Sequence, residues 1–157
     1  MNKTKRKIFE TSMKLFAEKG YDATSIEEIT SVVGVAKGTL YYHFSSKEEI
    51  FHFLVDEGMK LLQNSISIKT AQKTNSIDKL KSIVLIQLKV LYKYDDFMTI
   101  IFSQLWGNEP RNIECKKYVV QYLKIIEEII QDGINKGEII KADPETIASE
   151  IFSTTCI

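Results

Sequence analysis

The stretch from Thr24 to Phe44 constrains this chain more than any other, because it encodes two short helices that meet at a sharp corner. Ile26, Ile29 and Val33 recur at three- and four-residue steps and so share one helix face. Thr24 and Ser25 precede that face, with Glu27 and Glu28 three residues after each, a capping box available in two registers. Gly34 supplies the left-handed conformation in which a helix can stop and turn. Val35 follows at once, so the corner is expected to be buried. In the second helix Leu40 and Phe44 are the apolar anchors. Lys37, Gly38, Thr39, Tyr42 and His43 remain on its outer face, with Tyr41 at the edge.

That outer face is chemically specific. Lys37 carries a charge on a long stem, Thr39 a short hydroxyl, and Tyr42 and His43 offer donors at the far end. Gly38 removes a side chain where a bulky one would hold a partner away. Short donors suit base edges in a DNA groove, and longer ones suit the flanking phosphates. Two helices joined by a glycine turn, the second polar outside, form a helix-turn-helix pattern. By pattern alone, an ordinary corner of two helices with a solvated surface fits equally well.

The residues Thr24, Ile26, Ile29, Gly34, Val35, Gly38, Thr39, Leu40, Tyr41, Tyr42, His43, Phe44, Lys47 and Glu48 resemble the DNA-binding domain of the TetR family of one-component bacterial repressors. Phe16, Gly20, Tyr21 and Thr24 match the approach to that motif, so the resemblance covers roughly the first fifty residues. Ala36 departs from it, standing where the family often has a capping Ser. Loss of such a hydroxyl costs ~1 kcal/mol of helix stability. Ser31 and Val33 replace positions that are usually Ala.

The resemblance implies an all-α chain. An N-terminal three-helix domain (residues 1–46) would be joined by a bridging helix to a helical ligand-binding and dimerisation domain (residues 47–157). The residues it places on a double-stranded DNA operator are Thr24, Ser25, Lys37, Gly38, Thr39, Tyr41, Tyr42, His43 and Lys47. Lys47, at the start of the bridging helix, is expected to meet a phosphate there. Family members bind as homodimers and respond to a small-molecule effector. Their last two helices pair with a second subunit as a four-helix bundle, and the chain as given ends before the final one.

Bulk properties narrow the alternatives. The 157 residues are 44% hydrophobic with a formal net charge of +0, so DNA affinity must come from local charge. Lys3, Lys5, Arg6 and Lys7 supply some, as a solvated tail or as a contact to phosphates and the minor groove. Cys115 and Cys156 are far apart, and His43 and His52 are the only imidazoles. No metal site, cofactor site or disulfide framework follows, and reduced thiols fit a cytoplasmic protein. No apolar stretch is long enough for a bilayer, and no leader is evident.

Beyond the corner, apolar periodicity predicts helices from about Thr4 to Glu18, from Ser46 onward, from Ile77 to Tyr92, over Asp96–Trp106, from an Asn112 cap to Gly137, and after the Asp143–Pro144 cap. The polar run from Ser65 to Ser76 reads as a flexible connection. Met59, Tyr92, Met98, Phe102, Trp106, Tyr118 and Tyr122 are the candidates to line a pocket for a mostly apolar ligand. Aromatics at helical spacing equally serve as core.

No Ser-His-Asp set, metal triad or paired carboxylates argue for an enzyme. Three functions remain: a ligand-gated repressor, a DNA-bound scaffold of the same fold without an effector, and a helical carrier of apolar molecules.

Overall fold

A computed structural model describes residues 1–155, and among them the chain forms eight α-helices and no strand. These are α1 (Lys3–Lys19), α2 (Ile26–Val33), α3 (Lys37–His43), α4 (Lys47–Ala71), α5 (Ser76–Lys93), α6 (Asp95–Ser103), α7 (Pro110–Asn135) and α8 (Pro144–Thr155). Cys156 and Ile157 lie outside the described residues.

Of the two registers open to the first capping box, the fold uses the later one. Ser25 Oγ accepts the Glu28 N–H at 3.1 Å. The Thr24 hydroxyl turns inward instead, donating to the carbonyls of Leu15 (3.2 Å) and Gly20 (2.9 Å). Before α4, Ser46 Oγ accepts from Glu49 N at 3.0 Å. Gly34 ends α2 at φ 77° and ψ 40°, a left-handed cap that a side chain would strain. α3 starts without any side-chain cap, as Ala36 dictates.

Ile8, Leu15 and Phe16 of α1, Ile29 of α2, Leu40 of α3 and Phe44 are all buried against Ile50, Phe51 and Leu54 of α4. Each such side chain contributes about 1.5–3 kcal/mol when fully removed from water. α4 continues past this cluster and buries Val55, Met59 and Ile66 among the helices that follow. It therefore packs with both sets of helices. Gly58 marks the tightest seat along it: a Cβ there would lie 2.3 Å from the Phe97 ring of α6.

Three expectations change. The run from Ser65 is not a connection, because α4 extends to Ala71 and only residues 72–75 link it to α5. Ser65 and Thr70 donate to the carbonyls four residues back, each at 2.8 Å, so the helix absorbs their polarity while Ile66 anchors it. The basic start is not a free tail: Lys3, Lys5, Arg6 and Lys7 lie within α1. Lys5 lies over the Phe44 and Phe53 rings at 4.8 and 4.5 Å, and Arg6 pairs with Glu10. Finally, Asn112 is not the first cap of α7, which begins at Pro110. It folds the preceding loop, accepting from Glu109 N at 2.9 Å and donating to the Gln104 carbonyl at 3.0 Å.

Candidate nucleic-acid interface and interior cavities

Leu40 and Phe44 hold the back of α3, at 0% and 1% exposure, and this fixes which side chains face out. Tyr42 is 83% exposed, Tyr41 is exposed, and Lys37 and Gly38 are exposed beside a half-buried Thr39. His43, half-buried, meets the Tyr42 ring edge-on with centroids 5.0 Å apart. Ser25 lies exposed at the start of α2. The outer face of α3 is thus a continuous strip of donors. Gly38 is instructive because a Cβ built on it meets nothing within 4 Å. The fold itself does not require a glycine there.

Lys37 is not free in this structure. Its ammonium pairs with Glu27 of α2 across the corner. That hydrogen bond holds the Glu27 carboxyl below the usual range and raises Lys37. A neighbouring pair, Lys19 with Glu28, neutralises the second acid at the start of α2.

Two of the nine residues assigned to DNA are placed differently. Thr24 is 1% exposed and its hydroxyl is committed to backbone, so its side chain is a structural staple of the α1–α2 loop. The Lys47 ammonium points into the molecule. It donates to the carbonyls of Tyr21 and Thr24, both at 2.8 Å, and lies 4.3 Å from the Tyr21 ring centroid. Loop carbonyls lacking helical partners outcompete solvent for it. The other seven residues stay on the surface, on α3 and at the head of α2.

Arg111 of α7 also meets Tyr21, its guanidinium 4.7 Å from the ring centroid. Sequence reasoning missed this residue, since its partners are remote in the chain and nothing local marks it. His52 of α4 similarly pairs with Glu114 of α7.

The candidate ligand residues divide. Met59, Met98 and Tyr122 line one small cavity of about 30 Å³ between α4, α5, α6, α7 and α8, room for about one water molecule. Gln87 joins them: it accepts from the Tyr122 hydroxyl at 2.8 Å and donates to the Phe152 carbonyl at 3.2 Å. A glutamine four residues after Ile83 on a buried face was the available signal for it. Tyr92 and Trp106 are 93% and 84% exposed. Phe102 packs on Phe152 with ring centroids 6.2 Å apart. Tyr118 donates to Asp56 at 3.0 Å, and burial pushes its hydroxyl up to about 12.

With this geometry in place, the comparisons with known proteins are consistent. The family profile described as bacterial regulatory proteins, tetR family, matches residues 8–54. The uncharacterized HTH-type transcriptional regulator YerO of Bacillus subtilis is 31% identical over 122 residues, covering 75% of this chain and 41% of YerO. The biofilm operon icaADBC HTH-type negative transcriptional regulator IcaR of Staphylococcus aureus is 40% identical over 76 residues, 48% of this chain and 41% of IcaR. The aligned part therefore spans about two fifths of the length of these curated relatives. A Clostridium perfringens protein described as a fatty acid metabolism regulator has the same fold, with a TM-score of 0.88 and 36% identity. That match covers 95% of this chain and 81% of the clostridial one. Among the described residues no helix is long and apolar enough to cross a membrane. Over its described residues the chain is all-α, it carries the helix-turn-helix domain at residues 8–54, and it belongs to the TetR family of bacterial regulatory proteins.

Proposed function

We propose that the chain is a repressor rather than an enzyme, that it works in the cytoplasm, and that it binds a palindromic operator as a homodimer. A small, mostly apolar effector then releases it. Residues 1–46 act as the DNA-binding unit and residues 47–157 as the ligand-binding and dimerisation unit. The observation that carries the reading is the outer strip of α3, where Lys37, Gly38, Thr39, Tyr41 and Tyr42 face solvent over the buried Leu40 and Phe44. Two such helices in successive major grooves would sit about 34–36 Å apart. The similarity to a negative regulator supports repression over activation.

Within the strip, Thr39 and Lys37 read bases, and Tyr41, Tyr42 and His43 reach phosphates. Replacing Thr39 by Ala then changes which base is preferred at one position in each half-site, a difference of ~1–3 kcal/mol. Selection of bound sequences from random DNA tests the whole reading: a two-fold symmetric consensus is expected, and enrichment of no sequence would overturn it.

The scaffold alternative draws on a specific observation, that the cavity in the core of α4–α8 holds only about 30 Å³. A scaffold keeps its operator affinity against every small molecule, whereas a gated repressor loses it with one.

A further inference from the structure

A second cavity opens where the DNA-binding helices meet the rest. It has a volume of about 220 Å³ and lies between Phe9 and Met13 of α1, Leu54 and Leu61 of α4, and Phe97 of α6. That is space for about seven groups the size of a water molecule or a methylene. Its walls are mostly apolar, with Glu57, Ser65 and Tyr94 as the polar members.

At Ser65, Val90 and Tyr94 this cavity runs into a shallower groove of about 380 Å³ between α4 and α5, for those three residues line both. The groove carries Lys69, Lys89 and Lys93 and no carboxylate. Among the described residues none of these lysines forms an ion pair, as is true of most lysines of the chain, and Lys93 lies 5.4 Å from the Tyr94 ring centroid. In a chain of formal net charge +0, three like charges around one groove stand out. The acid that lines the apolar cavity, Glu57, is eight positions before Ser65 on α4, about 12 Å away along the helix axis. The site is therefore polar in one direction: an apolar chamber, then a cationic mouth, with its acid at the far end.

We infer that this junction binds a single-chain amphiphile with an anionic head group, the chain lying between α1, α4 and α6 and the head over Lys69, Lys89 and Lys93. Lysine stems that merely cover apolar surface would also keep their charges in water. What they would not do is discriminate between chains that differ only in head-group charge. The occupant touches α1 and α4 together, and so acts on the helices that carry the DNA-binding corner. That regulatory consequence rests on the repressor reading above; the binding itself does not.

The test uses the full chain and three eight-carbon probes, octanoate, octan-1-ol and octylamine, titrated by calorimetry at neutral pH. Octanoate is expected to bind saturably, at one per chain, and at least about tenfold more tightly than octylamine. The double variant Lys89→Glu, Lys93→Glu should lose most of that preference while binding octan-1-ol as before. Leu61→Trp, which fills the chamber from an exposed position, should weaken all three probes, with circular dichroism confirming that the helices persist. Equal binding of octanoate and octylamine, or a preference that survives charge reversal, overturns the inference. Co-sedimentation with phosphatidylglycerol vesicles at the affinity of octanoate also overturns it, because the chamber admits one chain and not a flat surface. If octanoate binds as expected but operator affinity is unchanged, the site stands and the gating reading falls.

Discussion

Both carboxylate oxygens of Asp22 accept from one nitrogen of Arg111, at 3.0 and 2.8 Å, so the first turn of α7 is tied to the loop that feeds α2. The two ends of this pair are unequal. The Asp22 side chain is 78% exposed and that of Arg111 only 22%. Arg111 also donates to Gln104 at 3.0 Å and covers the Tyr21 ring. Asp22→Asn should therefore cost ~0.5 kcal/mol, the worth of a screened surface pair. Arg111→Ala should cost ~1–2 kcal/mol, because a charged hydrogen bond and a ring contact go with it. Urea unfolding of the two variants measures the difference; equal losses would reduce the contact to a simple ion pair.

Gly38→Ala should move stability and DNA binding in opposite directions. Ala is favoured over Gly in a helix by ~1 kcal/mol, and here its methyl group meets no protein atom. Thermal unfolding should thus shift upward by a few degrees. Operator affinity, measured by fluorescence anisotropy, should fall roughly tenfold or more if α3 lies against a groove. A variant that binds as well as the parent would show that position 38 faces no partner.

Lys47→Ala separates a structural role from a phosphate contact. Its ammonium satisfies two loop carbonyls, and charged hydrogen bonds of this kind contribute ~1.5–3 kcal/mol. The expected result is a stability loss of about 2 kcal/mol with the salt dependence of operator binding unchanged. A slope reduced by about one unit would mean that Lys47 leaves the loop to reach the backbone of DNA.

Cys115 is fully buried in α7, and burial pushes its thiol up to about 12. Thiolate is the reactive form, and an ordinary thiol near 8.5 is appreciably ionised at pH 8. The folded protein should therefore leave Cys115 unmodified after iodoacetamide treatment at pH 8, as read by peptide mapping. Urea should expose it to full modification. Labelling of Cys115 under native conditions would contradict the packing of α7.

Much of this fold is legible in the chain, and the reasons differ from element to element. Gly34 and Gly137 both take positive φ where helices end, at 77° and 73°, so backbone chemistry alone locates those ends. Leu40 and Phe44 announce the buried side of α3 by their spacing, which leaves the outer strip readable too. Side-chain commitments are harder, because a capping box drawn in two registers does not say which hydroxyl turns inward. Lys47 and Thr24, expected on DNA, have their side chains committed to backbone carbonyls around the loop between α1 and α2. Two of the ligand candidates, Tyr92 and Trp106, lie on the surface for geometric reasons. Tyr92 lies five residues beyond Gln87, about 140° around α5 from that buried position. Trp106 lies beyond the end of α6 at Ser103, where helical periodicity no longer applies. The polar run after Ser65 misled because composition reports what a helix surface tolerates, not where the helix stops.

The ring of Phe97 under Gly58 has a mechanical consequence. From Gly58 back to Lys47 is eleven helical steps, an arm of about 16 Å. Rotating that arm by about 5° around the glycine swings its far end by roughly 1.5 Å, half the length of a hydrogen bond. On the repressor reading proposed above, a small shift of Phe97 against Gly58 would thereby be magnified at the end of α4 that abuts α3.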